Sequence, residues 1–222
     1  MWCAIMEHAD AASCSAQMRA RVALILLALS TAGCGGPVAP PRQASGEGIA
    51  VGAGPGGAFD ACFTCHGLNG EGRGDAPRLA GLDTGYLTKQ LFDYASDRRA
   101  DATMSPIARR LSDRDKFAVA QYYARMPAPE IALAATAPML YLHGDVEREL
   151  DACASCHGDD ADGRGAGNPA LAGQPANYTV EQLQRWKHGE RRNDPNNVMA
   201  QIARQLTDEE IDALSRYLEG AH

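Results

Sequence analysis

The pentapeptide Cys-x-x-Cys-His occurs twice in this chain, as Cys62-Phe63-Thr64-Cys65-His66 and as Cys153-Ala154-Ser155-Cys156-His157. This is the spacing of c-type haem attachment. Both thiols add to the haem vinyl groups as thioethers, and the histidine that follows is held beneath the iron. A thioredoxin-like dithiol would stand beside a βαβ pattern, and no such alternation is present. A structural zinc needs four Cys or His ligands, and each copy offers two cysteines and one histidine with no fourth partner at finger-like spacing. The motifs therefore imply two covalently bound haem c groups, attached at Cys62, Cys65, Cys153 and Cys156. His66 and His157 are the proximal iron ligands.

The motifs lie inside a longer duplication. Asp60 to Tyr123 can be laid over Asp151 to Leu218. Gly72-Arg73-Gly74 matches Gly163-Arg164-Gly165, and Pro77-Arg78-Leu79-Ala80-Gly81 matches Pro169-Ala170-Leu171-Ala172-Gly173. Tyr86, Gln90 and Leu91 match Tyr178, Gln182 and Leu183. Met104, Ile107, Ala108 and Leu111 match Met199, Ile202, Ala203 and Leu206. Two copies are too few for a solenoid, so two facing lobes are expected.

Within each copy the signals are helical. Ser112-x-x-Asp115 and Thr207-x-x-Glu210 read as capping boxes opening a last helix. Ile211, Leu214 and Leu218 keep one face of that helix apolar, as do Phe117, Ala120 and Ala124 in the first copy. Asn177 is placed to cap a helix running through Leu183 and Trp186, with Gly189 just past its end. Alternating β-branched runs are few, so the fold class is all-α with almost no sheet. Domains this short bury little of their own surface, so the haem must supply much of each core.

The organisation read along the chain is a targeting segment over 1–34, a flexible tether over 35–57, a first haem domain over 58–126, a linker over 127–138 and a second haem domain over 139–222. The tether reading rests on Gly, Pro and Ala without apolar periodicity. Prolines at 127, 129 and 138 favour an extended, semi-stiff linker.

Arg19 and Arg21 form a positive n-region ahead of the apolar run from Val22 to Leu29. Glu7 and Asp10 are foreign to such a region, which sets Met18 beside Met1 as a candidate translation start. Ser30-Thr31-Ala32-Gly33-Cys34 resembles a bacterial lipoprotein signal, in which Cys34 would carry lipid and anchor the protein. Thr31 departs from that pattern, and cleavage after Ala32 is the alternative. Both routes export the chain, to the periplasm, where haem c attachment belongs. The remaining cysteines, Cys3, Cys14 and Cys34, all lie near the N-terminus, so no structural disulfide is expected.

For the sixth iron position, Met104 and Met199 are the candidates because they occupy matching places in the repeat. The common role of methionine is core filling, which suits Met126 at the end of a helix. His188 is the rival to Met199, although a histidine near a helix end is more often at the surface. His143 matches nothing in the first copy. His/Met ligation raises the haem potential relative to two histidines. Ligand histidines commonly donate their second ring N–H to a carbonyl, and Pro77 and Pro169 are placed to present one. Arg99 and Arg191, with Arg73 and Arg164, are candidates to neutralise haem propionates. The alternative for any arginine is a solvated face.

Taken together, the paired CxxCHG motifs, Pro-x-Leu-Ala-Gly, Tyr-x-x-x-Gln-Leu, Gly189-Glu190-Arg191-Arg192-Asn193-Asp194 and Met-x-x-Ile-Ala-x-x-Leu-[Ser/Thr]-Asp resemble the tandem di-haem class I cytochromes c of the cytochrome c4 type. The resemblance covers roughly Phe59 to Leu218. It implies two cytochrome c folds with propionate edges facing across the interface, and a periplasmic electron shuttle that often serves a terminal oxidase. The first copy departs at Asp97-Arg98-Arg99-Ala100-Asp101, where the second has Gly-Glu-Arg-Arg-Asn-Asp.

The net charge of −7 over 222 residues argues against a nucleic-acid partner. It is unevenly split. Residues 46–128 carry 10 acidic and 10 basic side chains, whereas 139–222 carry 15 and 8. Such a field steers docking and makes it salt-sensitive. Three functions fit the motifs. One is an electron carrier between a quinol-oxidising complex and a terminal oxidase, and another is a haem subunit dedicated to a periplasmic dehydrogenase or reductase. A catalytic di-haem peroxidase would need an open iron, and the methionines argue against it. Fold alone does not choose between them.

Overall fold

Each haem motif sits on a short helix, and the helices that follow recur in the same order in both copies. A computed structural model describes residues 44–134 and 136–220. The first lobe contains α1 (Phe63–His66), α2 (Thr84–Ala95), α3 (Met104–Arg110) and α4 (Asp113–Arg125). The second contains α5 (Met139–His143), α6 (Cys153–His157), α7 (Ala176–Lys187), α8 (Val198–Gln205) and α9 (Asp208–Glu219). Among the described residues there is no strand, only isolated bridges between Arg73 and Ala76 and between Asp145 and Leu150.

Local chemistry sets the helix starts. Ser112 with Asp115, and Thr207 with Glu210, form reciprocal capping boxes at α4 and α9. Each satisfies two backbone donors that a helix start leaves open. Asp83 accepts from the Tyr86 N–H at the start of α2. The matching helix α7 begins differently from the expectation. It starts at Ala176 after Pro175, so Asn177 lies inside the helix and does not cap it. The Glu219 carboxylate, from the end of α9, accepts from the Ala176 N–H at 3.0 Å instead.

In the first lobe α2 packs on α3 and α4, and in the second α7 packs on α8 and α9. The first core gathers Ile49, Leu82, Leu87, Leu111, Val119 and Tyr123. The second gathers Tyr141, Leu150, Leu183, Leu206, Ile211 and Leu214.

The tether boundary is corrected by this packing. A helical turn at Gly46–Gly48 continues as a π-helical turn at Ile49–Ala53 and lies on α4. Ile49 and Ala50 are buried in the first core. The glycine read as flexibility has another role: a Cβ at Gly46 would collide with the Ala118 carbonyl. Its absence lets the two backbones touch. The first lobe therefore begins near residue 44, not 58. The second lobe places α5 at the corresponding point, with the Tyr141 ring packed at a tilt against Tyr217, centroids 5.2 Å apart. The targeting segment, Cys34 and the tether up to residue 43 lie outside the described residues.

Among its described residues the linker has no regular secondary structure, but it is not loose. A Cβ at Gly173 would come within 2.7 Å of the Ile131 side chain, and Leu133 and Ala137 pack against the second core.

Candidate functional site

The haem-binding motifs fold into two matching cradles. His66 and His157 end α1 and α6, and both rings are buried at 7% exposure. His66 Nδ1 is 2.8 Å from the Pro77 carbonyl, and His157 Nδ1 is 2.9 Å from the Pro169 carbonyl. These carbonyls can only accept, so Nδ1 carries the proton and Nε2 keeps a free lone pair for a metal. Burial also lowers both histidine pKa values, with the proline carbonyls opposing it. Each ring is thus held neutral and oriented. The loop that delivers the proline is repeated too. Gly72 N donates to the His66 carbonyl and Gly163 N to the His157 carbonyl, both at 2.8 Å.

The cysteines of each motif divide by exposure. Cys62 and Cys153 are half-buried, while Cys65 and Cys156 are exposed. Burial raises the Cys62 thiol and pushes Cys153 up to about 11. Both are protonated thiols at neutral pH. Addition across a vinyl group takes up the sulfur and its proton together, which suits that state. One edge of each attached group would therefore reach solvent.

Met104 opens α3 and is half-buried, with its N–H 2.8 Å from Asp101 Oδ1. Met199 lies in the first turn of α8 and packs against the second core. Met126 packs against the first core. His188 is exposed and lines a cleft of about 800 Å³ between the lobes, beside Asp101 and Arg185. His143 is exposed at the end of α5.

Arg99 and Arg191 are not on a solvated face. Each is 3% exposed, and they meet where the lobes join. Gln90 Oε1 accepts from Arg99 at 3.0 Å and from Arg191 at 3.3 Å. Gln182 Oε1 accepts from Arg99 at 2.8 Å and from Arg191 at 2.9 Å. Tyr178 accepts from Arg99 at 2.8 Å. Burial alone would raise the Tyr178 hydroxyl pKa, but the two guanidiniums pull it below its usual value. Arg191 lies over the Trp186 ring at 3.8 Å, and Arg99 over Tyr94 at 4.6 Å. Two cations are thus buried with neutral partners only. Arg73 and Arg164 are exposed.

The donors left over around this seam test whether haem fits. Arg99 Nε, Trp186 Nε1 and Arg78 Nε are buried and find no acceptor among the described residues. Buried donors and unpaired guanidiniums are costly unless something accepts from them. Propionates supply both acceptors and negative charge, so the residues present fit the group. Arg78, 2% exposed, was invisible as a site residue in the sequence. Its N–H donates to Gln174 Oε1 at 3.0 Å, and Gln174 Nε2 donates back to its carbonyl at 3.1 Å. The repeat could have drawn attention to it, because the matching residue is Ala170.

Comparison with known proteins agrees with this geometry. The family model for cytochrome c matches residues 56–137 and 149–221. The chain is 42% identical over 185 residues to the thiosulfate dehydrogenase electron acceptor of Stutzerimonas stutzeri (strain A1501), covering 79% of this chain and 86% of that protein. It is 40% identical over 167 residues to cytochrome c4 of Thiocapsa roseopersicina, covering 72% and 86%. The crystal structure of reduced recombinant cytochrome c4 from Pseudomonas stutzeri superimposes with a TM-score of 0.70 at 30% identity, covering 80% of this chain and 97% of that one. Thiosulfate dehydrogenase TsdBA from Marichromatium purpuratum gives a TM-score of 0.70 at 36% identity, covering 78% of this chain but 39% of that longer one. The chain belongs to the cytochrome c family, as a tandem di-haem class I cytochrome of the c4 type. It carries two covalently bound haem c groups and is an electron carrier.

Proposed function

We propose that this protein takes single electrons from a periplasmic dehydrogenase and delivers them to the respiratory chain. The observation that carries this reading is the pair of matching histidine cradles joined through the Arg99–Arg191 cluster, each with one cysteine at the surface. Two one-electron sites that share an interface suit a donor that releases electrons in pairs to an acceptor that takes them singly. Bound haem supplies reversible one-electron chemistry. His66 and Met104 would hold one iron, and His157 and Met199 the other, a ligand set that would favour the ferrous state. Arg99 and Arg191 would hold propionates.

Relatives named as electron acceptors of thiosulfate dehydrogenase, at 42% and 40% identity, support a donor that oxidises a small sulfur anion. The cytochrome c4 relatives favour a second reading, in which a quinol-oxidising complex is the donor and a terminal oxidase the acceptor. Export to the periplasm, with lipid on Cys34, completes the proposal. Stopped-flow mixing of the oxidised holoprotein with a thiosulfate dehydrogenase and thiosulfate tests it. Reduction of both haems at a rate that exceeds that with a reduced quinol-oxidising complex supports the first reading. Reduction only by the quinol-oxidising complex supports the second and overturns the first.

A further inference from the structure

The peptide unit that orients His66 is also held from the other lobe. Its carbonyl is that of Pro77, 2.8 Å from His66 Nδ1. Its N–H is that of Arg78, which donates to Gln174 Oε1 of the second lobe at 3.0 Å. Gln174 Nε2 in turn donates to the Arg78 carbonyl at 3.1 Å. An N–H can only donate and a carbonyl can only accept, so the two bonds fix which end of the side-chain amide faces which group. Both residues are buried, Gln174 at 5% and Arg78 at 2% exposure. Among the described residues no other backbone group pairs with the Arg78 N–H or carbonyl.

The second lobe orients its histidine in the same way but has no such link. His157 Nδ1 meets the Pro169 carbonyl at 2.9 Å. The position matching Arg78 is Ala170, and the position matching Gln174 is Leu82. Leu82 belongs to the first core, and Ala170 packs against that core. An apolar contact thus stands where the other side of the seam has a pair of hydrogen bonds. Among the described residues no backbone group of the first lobe bonds the Ala170 N–H.

We infer that Gln174 is a positioning residue for His66, acting through the Pro77–Arg78 peptide. The second lobe thereby sets the strength of the first lobe's proximal ligand, and the first lobe has no matching hold on His157. The physical reason is polarisation of a shared amide. An acceptor on the N–H side draws electron density toward the Pro77 oxygen, which then accepts more strongly from His66 Nδ1–H. A stronger bond there fixes the tautomer and the ring plane and makes Nε2 more basic. The inference rests on His66 as an iron ligand and not on the donor proposed above.

The test is NMR of the reduced holoprotein with isotopically labelled histidine, which reads the Nδ1–H groups of His66 and His157 separately. Gln174→Met is close in shape and removes both bonds to Arg78. Exchange of the His66 Nδ1 proton with solvent should become about threefold faster, for a bond weakened by roughly 10–30%. His157 should be unchanged. A less basic His66 favours ferrous iron, so the potential wave that Met104→His displaces should rise by about twofold in equilibrium constant. The same changes should appear on an Arg78→Ala background, because the link runs through the peptide and not the guanidinium. If Gln174→Met does not fold, Gln174→Asn decides in its place, since it keeps an amide but is one methylene too short to reach Arg78. A His66 proton that exchanges at its original rate, equal changes at both histidines, or an effect that vanishes with Arg78→Ala overturns the inference. Failure of a dehydrogenase to reduce the protein, with the His66 changes as expected, would overturn only the donor assignment.

Discussion

Arg185 of the second lobe reaches Asp101 of the first, with Nη1 3.2 Å from Oδ2. The other carboxylate oxygen of Asp101 accepts from the N–H groups of Thr103 at 2.9 Å and Met104 at 2.8 Å. One carboxylate thus joins the interface to the start of α3. The matching position in the second lobe is Asn193, which turns to Arg191 and Asp93 instead. There Asp194 binds Ala200 N at 3.2 Å, so the Met199 turn is held from within its own lobe. In the first lobe the carboxylate that holds the methionine turn is itself paired with the neighbouring lobe; in the second lobe the neighbour's Lys89, Gln90 and Asp93 bond Asn193 and not the carboxylate of Asp194.

Arg185→Ala should loosen Met104 and leave Met199 unaffected. The pair is partly buried, and an ion pair of this kind is worth at most about 1 kcal/mol. Imidazole, competing for the sixth position, should bind the first lobe up to about fivefold more tightly in the variant, because 1.4 kcal/mol corresponds to tenfold. An imidazole isotherm that tightens equally in both lobes would remove this asymmetry.

Acid should act on the same hinge. Desolvation raises the Asp101 pKa, but the N–H bonds of Met104 and Thr103 and the Arg185 guanidinium outweigh it and leave the carboxyl below its ordinary 3.8. A depressed folded pKa means that the unfolded state binds more protons in this range. The contribution to stability is complete above about pH 4 and is lost as the pH falls through the folded value. First-lobe ligation, followed optically during acid titration, should therefore fail below pH 4. Asp101→Asn should already be weakened at pH 7 and should show a smaller acid-side loss.

Gln182→Leu removes the acceptor that Arg99 and Arg191 share. It leaves two buried cations short of a partner, and such a deletion costs about 1–3 kcal/mol. The melting temperature of the holoprotein should fall by several degrees, since 1 kcal/mol shifts a domain of this size by about 2–4 °C. The double variant Gln90→Leu/Gln182→Leu should lose less than the sum, because both side chains serve one cluster.

What the sequence revealed and what it concealed follow the range of each interaction. Cys62, Cys65, His66 and Pro77 lie within sixteen residues, and their spacing alone carries the chemistry. The duplication then carried it to Cys153, His157 and Pro169. The capping boxes at Ser112 and Thr207 were equally local. Gly46 was misread because its role is a contact with Ala118, more than seventy residues away, while Ile49 and Val51 nearby are too few among the glycines and alanines to show a helical period. The Asn177 cap failed because the helix already begins at Ala176 after Pro175, and its first N–H is satisfied by Glu219 from another helix. Arg99 and Arg191 were found as candidates, but their burial was not, since nothing in a local window places Gln90 beside Gln182. Arg78 gave no sign except its unlike partner in the repeat.

Met199 and His188 offer a clean contrast for the second iron. His188 is exposed at the end of α7, whereas Met199 packs on the core that contains Leu206 and Ile211. Met199→Ala should lower the potential of one haem and leave it attached, because loss of the thioether removes its stabilisation of ferrous iron. His188→Ala should leave both spectra unchanged. A spectral change in the histidine variant and none in the methionine variant would reverse the assignment.

The uneven charge should decide which lobe meets a cationic partner. The first lobe is neutral over residues 46–128, while residues 139–222 carry an excess of seven acidic groups. Its haem-motif surface adds exposed Phe59 and Leu68, whereas the second presents Asp159 and Asp160. Charges of one sign accelerate encounter with an oppositely charged surface, and salt shortens their reach to about 8 Å at physiological strength. Electron exchange with a basic redox partner should therefore slow as salt rises, by about tenfold or more over the range in which the field is screened. Asp159→Lys with Asp160→Lys should flatten that dependence. Glu71→Lys with Asp75→Lys on the first lobe should leave most of it in place. The variants differ only in exposed side chains, so stability is unchanged within about 0.5 kcal/mol and the rates report docking. Equal flattening from the two pairs would mean that the partner does not distinguish the lobes, and the acidic face would then have no docking role.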